Sequence, residues 1–305
     1  LDKTAKLNTV HAGETIKLGG MSVEFIRMNH SIPDACAIAV TFVLTSAQAG
    51  TGRTAFAADP AVVSIDPVSV KSATGSVDIR ITAPLHGSDL PILVLAHGAA
   101  LNRSDYRPFV EGIARAGYIV IQPDFPDASD HGLPRSTPAP ADNWRIRHET
   151  VAWIGANLSD VLQPALDLAK RADLTRTAVA GHSFGGHTAV LAMGAQVTGA
   201  TTQPATAYRA ALLLAPPGNW DGLTAEWKAR AEYLKVDWSP MRGPTLMING
   251  TADVGPMSDA GPQWHDDGFH LATQNICLMH VKGAGHYLGG IDSALRSPFG
   301  DTTAA

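Results

Sequence analysis

The sequence predicts an α/β fold, a mostly parallel sheet with helices on both faces, and three observations carry that expectation. After residue 60, short apolar runs of the kind buried on both faces recur at Ile92–Ala96, Tyr118–Gln122, Thr177–Ala180, Ala211–Leu214, Thr245–Ile248 and Ile276–Val281. Segments of helical period fall between them, as right-handed crossovers require. Ahead of the series, Val68–Lys71 and Ser76–Ile81 alternate apolar and polar residues, the period of a half-exposed antiparallel strand. Two antiparallel strands leading into six parallel ones make one sheet and one domain.

The helices follow from spacing and punctuation. Ser104 can N-cap a helix in which Tyr106, Phe109, Val110, Ile113 and Ala114 share a face, and Gly117 ends it. A second helical region, Glu149–Arg171, carries Val151, Ile154, Leu158, Leu162 and Leu166 on one face, and Pro164 is expected to bend or break it. Two stretches escape the alternation. Residues 124–147 read as loop, with Pro126, Pro134, Pro138 and Pro140. Residues 215–242 hold Trp220, Trp227, Tyr233 and Trp238, and such an insertion either lines a binding site or packs as a satellite core.

Bulk properties narrow the function classes. The 305 residues are 45% hydrophobic and 17% charged, enough apolar material for a sizeable core. The formal net charge of -5 offers no basic stripe for nucleic acid. Cys36 and Cys277 cannot build a disulfide framework, and free thiols are the expectation. No 20-residue apolar span suggests a membrane helix.

The chemistry concentrates at Gly181-His182-Ser183-Phe184-Gly185, which fits G-x-S-x-G. The bare pattern is weak. Placed after a strand (TAVA) and before an Ala-rich helix, it has the context of a turn that exposes a strained serine. A serine hydroxyl needs a base to take its proton and an acid to orient that base. Asp253, after the strand in "PTLMINGTADV", is the acid, and His286 in "KGAGHYLGG" is the base. All three fall at C-terminal strand ends, in the order serine, acid, histidine. The oxyanion donors are the N–H of Phe184 and that of Ala99 in the loop after Ile92–Ala96, with Ala100 the second choice and a substrate contact. Trp220, Trp227 and Trp238 are the candidate substrate-binding aromatics. His182 reads as packing, and His187, His265, His270 and His280 lack the glycine-flanked setting of His286. Asp124 reads as structural or pocket-lining, Asp259 as the fallback acid, and Asp266 and Asp267 as solvated. No metal or organic cofactor is implied.

The segments "LVLAHGAALNRSDYRPFVEGIARAGYIVIQPDF", "AVAGHSFGGHTAV", "PTLMINGTADV" and "GAGHYL" resemble an α/β-hydrolase of the dienelactone-hydrolase-like, platelet-activating-factor-acetylhydrolase-like group. That group is also similar to chlorophyllases and polyester hydrolases. The resemblance covers most of residues 76–290 and implies an α/β-hydrolase fold and a Ser-Asp-His carboxylic-ester hydrolase working through an acyl-enzyme. Its substrate would be a small-molecule or polymeric ester, and an amide is the alternative. A non-catalytic hydrolase-fold binding module would need a broken triad. Two departures stand out: dienelactone hydrolases proper use a cysteine where this chain has Ser183, and cutinase-like polyester hydrolases often carry a C-terminal disulfide, for which only Cys277 is available.

Residues 1–57 read differently from 58–305, the expected catalytic domain. "VHAGETIKLGGMSVEFIRMNHSIPDACAIAV" resembles a piece of ribonuclease J, a metallo-β-lactamase-fold nuclease, but that family's HxHxDH motif is absent, so His11 and His30 read as ordinary histidines. Ala35–Ala49 is apolar and small, and Ala55-Phe56-Ala57 is an A-x-A pattern that resembles a signal-peptide cleavage site before Ala58. Secretion or a periplasmic location follows as the expectation, with the cytoplasm as the alternative.

Overall fold

In the computed structural model the described residues are the strand backbones at 15–18, 21–27 and 36–42, and then 61–291 except 73, 130–140, 201, 203, 206, 274–275, 290 and the side chain of 166. His11, His30, the A-x-A pattern and Pro134, Pro138 and Pro140 lie outside them. The chain divides into two compact units, Leu1–Ala55 and Phe56–Ala305. In the first, β1 (Thr15–Leu18), β2 (Met21–Arg27) and β3 (Cys36–Phe42) form an antiparallel sheet in that order.

The second unit opens with β4 (Val62–Ser72) and β5 (Gly75–Pro84), an antiparallel pair. The parallel series then runs β6 (Leu90–Ala96), α1 (Arg107–Arg115), β7 (Ile119–Pro123), α2 (Asn143–Ala156), α3 (Leu158–Leu162), α4 (Leu166–Ala169) and β8 (Ala172–His182). It continues through α5 (Phe184–Ala192), a short β9 (Gln196–Val197), β10 (Ala210–Leu214), α6 (Ala225–Lys228), a short β11 (Val236–Asp237), β12 (Thr245–Gly250), α7 (Asp267–Leu271) and β13 (Ile276–Val281). Eight strands make the main sheet in the order β13-β12-β10-β8-β6-β7-β5-β4, with β4 and β5 as its antiparallel strands. The expected architecture is observed: this is an α/β-hydrolase fold.

Burial explains the sequence pattern strand by strand. β7, β10 and β12 are buried at every position, so their residues need no alternation, and each buried Ile, Leu or Val contributes about 1.5–3 kcal/mol. β4 is an edge strand and alternates. β13 is the other edge and only half-buried, although its apolar run reads like a central strand.

Two helix boundaries differ from expectation. Asn102, not Ser104, makes the N-terminal cap: its side chain accepts from the Ser104 N–H, and Asp105 closes the reciprocal bond to the Asn102 N–H. A 3-10 turn, Arg103–Tyr106, leads into α1, and Gly117 at φ +100° ends it. The second helical region begins earlier, at Asn143, and breaks at Asn157 as well as around Pro164, which sits in a 3-10 turn.

Candidate active site

β8 lies deep in the sheet and delivers Ser183 at its C-terminal end. Ser183 sits at φ 53°, ψ -121°, a left-handed conformation that a side chain adopts only under local constraint. The flanking glycines supply it. A Cβ on Gly181 would meet the Gly185 carbonyl oxygen at 1.9 Å, and one on Gly185 would meet that of Ala96 at 2.0 Å. Strand, turn and helix therefore close on each other at distances only glycine permits. Phe184 is the first residue of α5, so its N–H has no acceptor within the helix and points out of the N-terminus.

The loop after β6 approaches from one side. Gly98 lies against the serine, since a Cβ there would stand 3.4 Å from Ser183 Cβ. Its N–H donates to Tyr106 Oη at 2.7 Å, and the Leu101 N–H donates to Gly98 O at 3.3 Å. Those two donors are spent, which leaves the N–H groups of Ala99 and Ala100 for a ligand. Ala100 has φ 56°, so the loop turns sharply after Ala99.

Arg147, from α2, fixes this loop from beneath. Its side chain is fully buried. Nη1 donates to His97 O at 2.7 Å and Nη2 to Gly98 O at 3.3 Å, while Nε and Nη2 hold Asp127 at 3.0 and 2.8 Å. The guanidinium also lies 4.4 Å from the Phe125 ring centroid and 4.6 Å from that of Phe184. Burial works against the Asp127 charge, but the Arg147 cation, with His97 beyond it, holds that carboxyl down at about 2.

His182 joins the elbow to the loops around it. Tyr106 Oη accepts from Gly98, so its hydrogen goes to His182 Nδ1 at 2.9 Å, and His182 Nε2–H in turn donates to the His286 carbonyl at 2.9 Å. Burial first, and the neighbouring His286 second, push the His182 imidazole down to about 3, which keeps it neutral. The reading of His182 as mere packing is corrected: it ties three loops together.

Asp253 follows β12 and His286 follows β13, neighbouring strands of the sheet. His286 Nδ1 lies 2.9 Å from Asp253 Oδ2. The Asp253 side chain is 2% exposed and that of His286 23%, the pattern of a buried anchor and an accessible ring. Burial opposes charge on Asp253, but hydrogen bonds from His265 and His286 hold its carboxyl well below the usual range. The rings of His286 and His182 stand 4.9 Å apart, which brings His286 beside the residue preceding Ser183.

With this geometry, residues 51–208, just over half of the chain, match the model of the chlorophyllase family. The chain belongs to the chlorophyllase family. The matched stretch includes the elbow and the loop after β6, while Asp253 and His286 lie beyond it. The chain is 30% identical over 135 residues to chlorophyllase type 0 of Chenopodium album; the match spans 43% of this chain and 38% of that protein, less than half its length. Solved structures share the fold. A mutant of the esterase rPPE superposes with TM-score 0.53 at 17% identity over 78% of each chain. The carboxylesterase EstE1, cloned from a metagenomic library, gives 0.52 at 17%, over 75% of this chain and 82% of its own.

The remaining candidates in this chlorophyllase-family chain fall into place by burial. Trp238 is 3% exposed and packs in the main core against Gly268 and Met247, so its proposed substrate contact is corrected to a core role. Trp220 and Trp227 pack against a satellite cluster of Leu223, Ala231, Leu234 and Trp264. Lys228 and Lys235 lie over the Trp220 ring at 5.0 and 4.3 Å. Asp266 is buried and Asp267 half-buried, so neither is freely solvated. Asp266 takes bonds from Asn249 at 2.7 Å and His280 at 3.0 Å, and Asp267 accepts from the Asn219 N–H at 2.8 Å. Asp259 is exposed, and Asp124 binds the Arg103 side chain and N–H, a structural role. His187 is buried with Nε2 on Tyr233 O.

Sequence reasoning missed Tyr106, Arg147 and His265 as parts of the site. Tyr106 was legible only as a helical apolar position, and Arg147 only as one residue of a proline-rich loop. Asp253, His265 and His286 offer ligand-type atoms within 4.8 Å of one another, and the contacts described account for that closeness.

Proposed function

We propose that this chain is a serine carboxylic-ester hydrolase that works through an acyl-enzyme. The observation that carries the reading is the His286–Asp253 pair, bonded at 2.9 Å on the sheet edge where β8 presents Ser183 in a strained turn. The plant relative, named a chlorophyllase, supports an ester as the substrate.

In the first half-reaction His286 Nε2 takes the Ser183 proton as Oγ attacks the acyl carbon. Asp253 holds the imidazole through Nδ1–H and stabilises the imidazolium that forms. The carbonyl π electrons move to oxygen, where the N–H groups of Ala99 and Phe184 receive the charge. Collapse expels the alcohol, protonated by His286, and leaves the acyl group on Ser183. Water, deprotonated by His286, repeats the attack and releases the acid.

Ser183→Ala removes the nucleophile and little volume. Turnover of aryl and alkyl esters of graded acyl length should fall by several orders of magnitude with the thermal midpoint unchanged. Near-wild-type turnover in that variant overturns the proposal, and faster cleavage of a matched amide than of its ester redirects it to amide hydrolysis.

A further inference from the structure

Behind Asp253 lies a second histidine that the triad does not use. His265 sits in the 3-10 turn Gly261–Asp266 and is 5% exposed. Its Nδ1 lies 2.6 Å from the Pro216 carbonyl oxygen, at the end of β10, and its Nε2 lies 3.3 Å from Asp253 Oδ2. A carbonyl oxygen and a carboxylate oxygen both accept and neither donates. A neutral imidazole carries one N–H, so whichever tautomer formed would aim a lone pair at an oxygen within hydrogen-bonding distance. Turning the ring over would present carbon atoms to both oxygens and lose the bond to Pro216 and the ionic contact with Asp253. Only the doubly protonated ring presents an N–H to both oxygens.

We infer that His265 is a buried imidazolium that shares Asp253 with His286, so that the triad acid is flanked by two histidines and carries a second, fixed counter-charge. The inference rests on the reading of Asp253 and His286 as acid and base. His182 provides the internal contrast: a hydroxyl donor on one nitrogen and a carbonyl acceptor on the other make it neutral. Burial alone would discharge His265, but the hydrogen bond and charge of Asp253, with Pro216 O and the Asp266 carboxylate, raise its affinity for the proton. The groups facing it are Asp253 from the β12 loop, His286 from the β13 loop, His182 from the elbow, and Asp266 and Asp267 of its own segment. Asp266 is itself paired with His280 of β13.

A fixed cation here has a consequence for turnover. The His265 and His286 rings are 5.7 Å apart, so a fixed charge on the first acts directly on any proton that the second takes up during turnover. His265 is thus a positioning and field-setting residue and touches no substrate. It sets where the acid side of the activity profile falls.

Two measurements test this. Two-bond proton–nitrogen correlation spectra of the 15N-labelled chain at pH 7.5 should show both ring nitrogens of His265 protonated, while His182 shows a single Nε2–H. His265→Gln identifies the signals by their loss. One protonated nitrogen at His265 overturns the inference, and the wild-type spectrum decides it even if the variant does not fold. In kinetics, His265→Gln keeps an amide donor near Asp253 but removes the charge. The acid limb of kcat/KM should move up by roughly one pH unit, with the alkaline plateau kept within several-fold. An equal loss at every pH, with no movement of the limb, means packing only and overturns the role. Failure of the esterase reading would show separately, as retained turnover in Ser183→Ala, and would leave the spectra unaffected.

Discussion

Arg147→Met should destabilise the fold by about 3–5 kcal/mol and lower kcat/KM by roughly ten- to a hundred-fold. The substitution keeps much of the side-chain volume and removes the guanidinium. It leaves the Asp127 carboxylate, whose side chain is 7% exposed, without its cation, and breaking a buried pair in this way has that cost. It also removes one donor from each of the His97 and Gly98 carbonyls, so the peptide of Ala99 is held by fewer bonds. Asp127→Asn in the same chain removes the orphaned charge, so the double variant should recover part of the stability without recovering the rate. The pH dependence gives an independent check. The Asp127 carboxyl is depressed in the folded state, so its contribution is complete above the unfolded value of 3.8 and is lost as pH falls through about 2. A shift of that size corresponds to roughly 2–3 kcal/mol. The assay is denaturant unfolding of wild type, both single variants and the double variant at pH 7 and pH 3, beside kcat/KM for a simple ester. Unfolding of Arg147→Met within about 0.5 kcal/mol of wild type, or an unchanged kcat/KM, would refute the reasoning.

Two further outcomes are expected. Tyr106→Phe removes the hydroxyl between Gly98 and His182 and should cost about 1–3 kcal/mol of stability and a measurable part of kcat, because two buried partners lose their bond; an unchanged melting temperature and rate would contradict that role. Residues 58–305 expressed alone should fold and keep kcat/KM for a simple ester within a few-fold at matched active-site concentration, since every group proposed for catalysis lies within them; a well-folded but inactive product would place part of the site in the N-terminal segment.

How much of this was legible depends on the range of the interaction. The sheet was readable because β7, β10 and β12 are buried on both faces and so consist of unbroken apolar runs. The half-exposed edge position of β13 was not readable, because only strand order determines it. Ser183 was readable because its constraint is local: the glycines that must flank it are neighbours in the chain. The places of Asp253 and His286 after strands were readable, whereas the bond between them depends on β12 and β13 being neighbours. Arg147 and His265 were hidden because their roles depend on partners 12 to 50 residues away, in segments with no shared pattern. Trp238 misled for a related reason. An aromatic in an insertion is equally suited to a pocket or to a core, and the close approach of Gly268 settles it as core.

The chain of bonds through Tyr106 and His182 has a polarity, and its two ends are main-chain atoms, the Gly98 N–H and the His286 carbonyl. Every proton in it points the same way, so no member can change its tautomer without reversing the others. Because both anchors are main-chain atoms, side chains elsewhere in the loops that carry them can be exchanged without breaking it. In a redesign of substrate preference, the loop that carries Ala99 can therefore be varied by side-chain exchange while the elbow keeps its place. The two middle positions, which meet no substrate, should tolerate the least.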